Sequence, residues 1–150
     1  MIALPESECG EILAYFRQHL PHIPDAWLQE LATNYGLDAV VDIDPNDVIA
    51  ILSVPGELHR IQIHETEREY LEKVCFKMHD ELEARGIKSV QIVASLLIMQ
   101  DSYSTLVDIG KIVKQVTCNN AVDVKMGWGW YSPSPLISGQ ILEQFLIVRP

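Results

Sequence analysis

Residues Ile92 to Met99 read IVASLLIM, an apolar run broken only by Ser95. It is too short to span a bilayer and has the length of a strand. A strand apolar at nearly every position is buried on both faces, so it belongs at the centre of a sheet. Any fold for this chain must therefore be built around residues 92–99.

The segments around that run supply the rest of an α+β pattern. Leu71, Val74, Cys75, Met78 and Leu82 recur at helical spacing between Thr66 and Arg85, and Gly86 is a suitable terminator. Upstream, residues 5–20 and a segment capped by Asp25 read as helices, separated by the two prolines of LPHIPD and ended by Gly36. In VDIDPNDV, Asp44 suits an N-cap, Pro45 the first helical position and Asp47 the third, where a carboxylate complements the helix dipole. A short helix from 45 to about 53 follows. LHRIQI alternates imperfectly and reads as a short strand.

The C-terminal half reads strand, helix, strand, strand. Leu106, Ile109, Val113 and Val116 form the stripe of a helix over 103–117. AVDVKMGWGWY then alternates strictly, with Val122, Val124, Met126, Trp128 and Trp130 on one face. Asp123, Lys125, Gly127, Gly129 and Tyr131 share the other. Residues 141–148 return as the last strand, and its far edge is open to pairing with another chain. The expected architecture is one α+β domain over residues 1–150, a two-layer sandwich. Its parts are a helical segment, 1–36, and a core with a mixed sheet and a C-terminal β-α-β-β unit, 37–150.

Charge narrows the function. The formal net charge is −10, which repels phosphate backbones and disfavours nucleic acid or anionic membranes as partners. An acidic surface instead steers basic proteins. Three widely spaced cysteines and the absence of a basic flank before an apolar N-terminal stretch point to a reduced, cytoplasmic setting.

Motifs for chemistry are sparse. Neither G-x-G-x-x-G, G-x-x-x-x-G-K nor G-x-S-x-G occurs. Cys75 and His79 lie one helical turn apart and can face one metal ion, but two ligands are not a site, and Cys75 also falls on the apolar stripe. Asp42, Asp44 and Asp47 gather carboxylates that suit a hard cation, yet the EF-hand glycine and glutamate are missing and capping accounts for two of them. No cofactor is expected.

The aromatic stretch MGWGWYSPSP offers more. Its alternation turns Trp128 and Trp130 toward the core and leaves Tyr131, with the Pro133–Pro135 loop, outward as a preorganised rim. The expected role is a non-catalytic interaction module, an adaptor, inhibitor or immunity-type protein. Its partner-binding residues would be Trp128, Trp130, Tyr131, Pro133, Pro135, Asp44 and Asp47. Two alternatives stay open. One is a small enzyme or metal-binding protein using Cys75 and His79 or the Asp42–Asp47 cluster. The other is a homodimer or larger self-assembly.

VDIDPNDV resembles the acidic loop N-x-D-x-x-D of FtsZ and tubulin-like proteins, with Asp42 at the Asn position and Asp44 and Asp47 at the acidic ones. STLVDIGKIVKQVTCNNAVDVKMG is similar to the helix-then-strand stretch before that family's final hairpin. The resemblance covers residues 36–149 and is to the C-terminal domain, without the GTP-binding domain. It implies an α/β sandwich with a mixed sheet of about four strands. It also implies that Asp44 and Asp47 face a neighbouring subunit's nucleotide site. WGWY has no counterpart in the family pattern.

Overall fold

The computed structural model describes residues 6–65, 71–101, 124–132 and 140–149. In chain order the elements are α1 (Glu6–His19), α2 (Asp25–Thr33), β1 (Ala39–Val41), α3 (Pro45–Leu52), β2 (Glu57–Glu65), α4 (Leu71–Ala84), β3 (Ile92–Gln100), β4 (Lys125–Tyr131) and β5 (Gln140–Val148). The fold is α+β, with a mixed five-stranded sheet in the order β1-β4-β3-β5-β2. The apolar run is β3, and it lies at the centre. It pairs parallel with β4 and antiparallel with β5. Leu96 and Leu97, which point to opposite faces, are both fully buried.

Period two explains that double burial. Ala94, Leu96 and Ile98 meet α1, α2 and α3 through Phe16, Leu28, Val48 and Leu52. Leu97 and Met99 meet Val74, Cys75 and Met78 of α4 on the opposite face. The sandwich of N-terminal helices on the sheet is as expected, with a further helix covering the second face. Each large side chain buried in these clusters contributes on the order of 1.5–3 kcal/mol.

Local signals place the elements. Asp44 caps α3 by accepting from the Asn46 amide at 2.8 Å, with Pro45 at the first helical position. Gly86 ends α4 with φ +69°, and α2 runs through a 3-10 turn, Asn34–Gly36, before the chain extends. One cap differs from expectation. Pro24, not Asp25, occupies the α2 cap position, and no side chain caps that helix. Asp25 lies inside the first turn, where Arg17 holds it through two hydrogen bonds of 2.7 and 2.9 Å. Those bonds, and one from Gln29, bring its carboxyl down to about 2.

The last strand also differs. β5 is an interior strand between β3 and β2, so it has no open edge. Pairing of another chain along residues 141–148 is therefore excluded; β1 and β2 are the outermost strands. β2 is longer than expected, and pairs with β5 over nine residues without a register shift. Beside it Arg60 is stacked 5.6 Å from both the Trp27 and Phe145 rings. It binds the buried carboxylate of Glu143 at 2.7 Å and also pairs with Glu30. The predicted helix over 103–117 lies outside the described residues. β3 and β4 on either side of it run parallel, as a β-α-β unit requires.

Candidate functional site

Strand β4 carries the aromatic stretch, and its alternation holds. Trp130 joins the α4-side cluster, only 7% exposed, with Trp128 packed against the same cluster. The Trp130 indole N–H donates to the Asp101 carbonyl at 2.8 Å. Tyr131 takes the opposite face, as predicted, but it is not exposed. Its relative exposure is 0%, and it is the largest fully buried side chain among the described residues. The reason is the helical layer on that face. An outward aromatic needs a solvated face, and α3 with its preceding loop occupies this one. Tyr131 is therefore no surface anchor. Pro133 and Pro135 lie outside the described residues.

The two glycines of β4 let that layer approach. A β-carbon at position 127 would stand 2.7 Å from Ile51 Cδ1 and 3.0 Å from Ile43 Cδ1. One at position 129 would stand 2.8 Å from the ring of Tyr131. The stripped strand face is the seat of α3 and of residues 42–44.

Two buried tyrosines fasten that loop. The Tyr35 hydroxyl donates to the Ile43 carbonyl at 2.8 Å. The Ile43 amide reaches the Tyr131 hydroxyl oxygen at 3.4 Å, and that hydroxyl donates to Asp42 Oδ1 at 3.0 Å. The rings meet edge to face with centroids 6.5 Å apart. Burial pushes both phenols up, and for Tyr35 the neighbouring Tyr131 and the acidic loop add to the effect. Both remain neutral donors at ordinary pH. A third tyrosine, Tyr15, donates to Asn46 Oδ1 at 2.7 Å.

With Ile43 pinned inward, Asp42, Asp44 and Asp47 are exposed on the outside of the loop. They line an open cleft of about 470 Å³ together with Ile51 and the Lys125–Trp128 segment of β4. The structure thus joins two features that lie far apart in sequence: the acidic loop, with Asp44 and Asp47, and the strand that carries Trp128. Tyr35, Tyr15 and Ile43, which set the geometry, were not singled out by the sequence. No spacing rule points from Tyr35 or Tyr131 to the loop.

The thiol and imidazole of α4 do not extend this site. Cys75 is buried, 3% exposed, in the α4-side cluster, while His79 is exposed. Among the described residues no three His, Cys, Asp or Glu side chains gather closely enough to hold a metal ion. No helix among them is long and apolar enough to cross a membrane.

The chain matches no protein-family model and no curated protein. Solved structures do match. An FtsZ dimer from M. jannaschii superposes with a TM-score of 0.62 at 14% identity, over 91% of this chain and 43% of that one. A GTPγS-form protofilament of TubZ from Bacillus thuringiensis serovar israelensis gives 0.57 at 11% identity, over 93% and 40%. The chain carries part of an FtsZ/TubZ-like fold. It spans about two fifths of the length of those proteins. Within this FtsZ-like fold the sheet has five strands, one more than the sequence resemblance implies, because β1 adds a short edge.

Proposed function

We propose that this chain is a non-catalytic protein–protein interaction module of the cytoplasm. Its acidic cleft receives a partner carrying basic residues. The observation that carries this reading is the fastening of the Asp42–Asp44 loop by two buried tyrosines at the mouth of the cleft. A loop held in advance loses little conformational freedom on binding. Exposed carboxylates on a chain of net charge −10 raise the rate at which a basic partner arrives.

The test is capture from lysate of the source cell, with the wild type beside the triple variant Asp42→Asn, Asp44→Asn, Asp47→Asn. Asparagine keeps the cap and the Tyr131 acceptor while removing three charges. Circular dichroism checks that both are folded. A stoichiometric partner lost in the variant and at raised salt supports the reading. A partner indifferent to both moves the surface elsewhere.

A second reading is association with copies of itself. The similar structures were solved as a dimer and as a protofilament, which favours it. Light scattering of the purified chain across a concentration series separates the two. Growth in mass favours self-assembly, and a constant monomer mass removes it.

A further inference from the structure

Among the described residues the sheet leaves one edge unfinished beside the cleft. β4 pairs with β3 along its whole length, from Lys125 to Tyr131. On its other side β1 reaches only Trp130 and Tyr131. One more backbone bond, from the Ser132 amide to the Asp38 carbonyl at 2.8 Å, extends this pairing away from the cleft. Among the described residues nothing pairs with β4 on that side over residues 125–129. The chain cannot complete the edge by lengthening β1, because after Val41 it turns into the fastened loop and then α3.

An open strand edge presents amide and carbonyl groups that another extended segment can satisfy. Five residues of strand make a slot about 17 Å long. Four of the five, Lys125 to Trp128, line the cleft beside the acidic loop. We propose that this cleft binds an extended peptide segment of a partner protein, added as a strand to β4. This deepens the reading of the acidic cleft as the partner surface and rests on it.

Period two specifies the guest. On one face its side chains would stand beside Met126, which is 45% exposed, and half-buried Trp128. On the other they would lie on the α3 side, where Asp42, Asp44 and Asp47 rim the cleft. The segment recognised therefore alternates apolar and basic residues. Its basic residues belong opposite Gly127 and Gly129, where β4 has no side chain, and not opposite Lys125, whose like charge would repel them. Stems of arginine or lysine can rest on Ile43 and Ile51 while their heads reach the carboxylates.

The experiment uses fluorescence anisotropy with the full chain and labelled nine-residue peptides in which every second residue is valine, with arginine at two successive alternate positions and serine at the rest. A block peptide of the same composition serves as control. Two further versions carry N-methyl groups on the odd or on the even amides, which removes backbone donors without changing charge. We expect the alternating peptide to bind at least tenfold more tightly than the block peptide. One of the two N-methylated versions should lose at least tenfold and the other much less. The triple asparagine variant should weaken the alternating peptide. Equal binding of all four peptides, with loss in the acidic variant, overturns strand addition while leaving the acidic surface standing. Binding that ignores both N-methylation and the carboxylates overturns both. No binding at millimolar peptide overturns strand addition, and lysate capture then judges the surface alone.

Discussion

The hydroxyl of Tyr131 donates to the Asp42 carboxylate at 3.0 Å, joining residues 89 positions apart in the chain. The same oxygen accepts from the Ile43 amide. One buried phenol thereby fixes both the backbone and an acidic side chain of the candidate site.

Tyr131→Phe should remove that joint and leave the ring packing intact. The cost should be about 1 kcal/mol of stability, because a buried amide loses its partner. The sharper effect should be local, with faster hydrogen exchange at residues 42–44 and unchanged exchange in β3. Unchanged protection in the loop would show that Tyr35 alone holds it.

Asp44 serves two ends that substitution can separate. Asp44→Ala removes the α3 cap and should cost about 1 kcal/mol in denaturant unfolding. Asp44→Asn keeps the cap and should stay within a few tenths of wild type. Both should weaken the partner, since both remove the charge.

Two glycines should respond differently to a methyl group. At Gly56, φ is +149° and a β-carbon would lie 2.6 Å from the Val148 carbonyl oxygen and 2.5 Å from Ile147 Cγ2. Backbone cannot swing aside, so Gly56→Ala should cost about 3 kcal/mol or more. At Gly127 the obstacles are the tips of Ile51 and Ile43, which can rotate. Gly127→Ala should cost about 1 kcal/mol. Thermal or denaturant melts of the two variants check the order.

Glu143 should make stability fall as pH rises. Burial raises its carboxyl above the usual 4.5, against the opposing pull of Arg60, with Glu30 adding to the rise and Gln62 opposing it. The folded chain then holds this proton more tightly than the unfolded chain does. The contribution is present at low pH and is lost as pH rises from 4.5 through the raised value. Unfolding of wild type minus Glu143→Gln, measured across the carboxylate range, should show the difference shrinking with rising pH. The opposite slope would mean that Arg60 outweighs burial.

What could be read from the sequence was local. Asp44, Pro45 and Asp47 announce α3 within four positions, and the structure keeps all three in those places. The run of apolar residues in β3 announces double burial, which needs no knowledge of its neighbours. The face of Tyr131 was legible too, because alternation is a property of the strand itself. Its burial was not, because that depends on which helices lie over the face. The interior position of β5 failed for a similar reason. Strand order is settled by contacts between distant segments, and the polar Gln140, Glu143 and Gln144 in that strand, all buried, disguised its place. The meeting of the acidic loop with β4 is of the same kind and leaves no mark in residue spacing.

That distance along the chain has a consequence during synthesis. A ribosome that has just made Asp42 needs roughly 5 to 20 seconds more to make Tyr131, at typical elongation rates. Until then the loop lacks its fastening, and α3 lacks the strand face on which it sits. Pairings between such remote segments also form slowly. A nascent or truncated chain therefore shows its carboxylates without their final arrangement, and a partner that reads the arrangement is also reading whether the chain has finished folding.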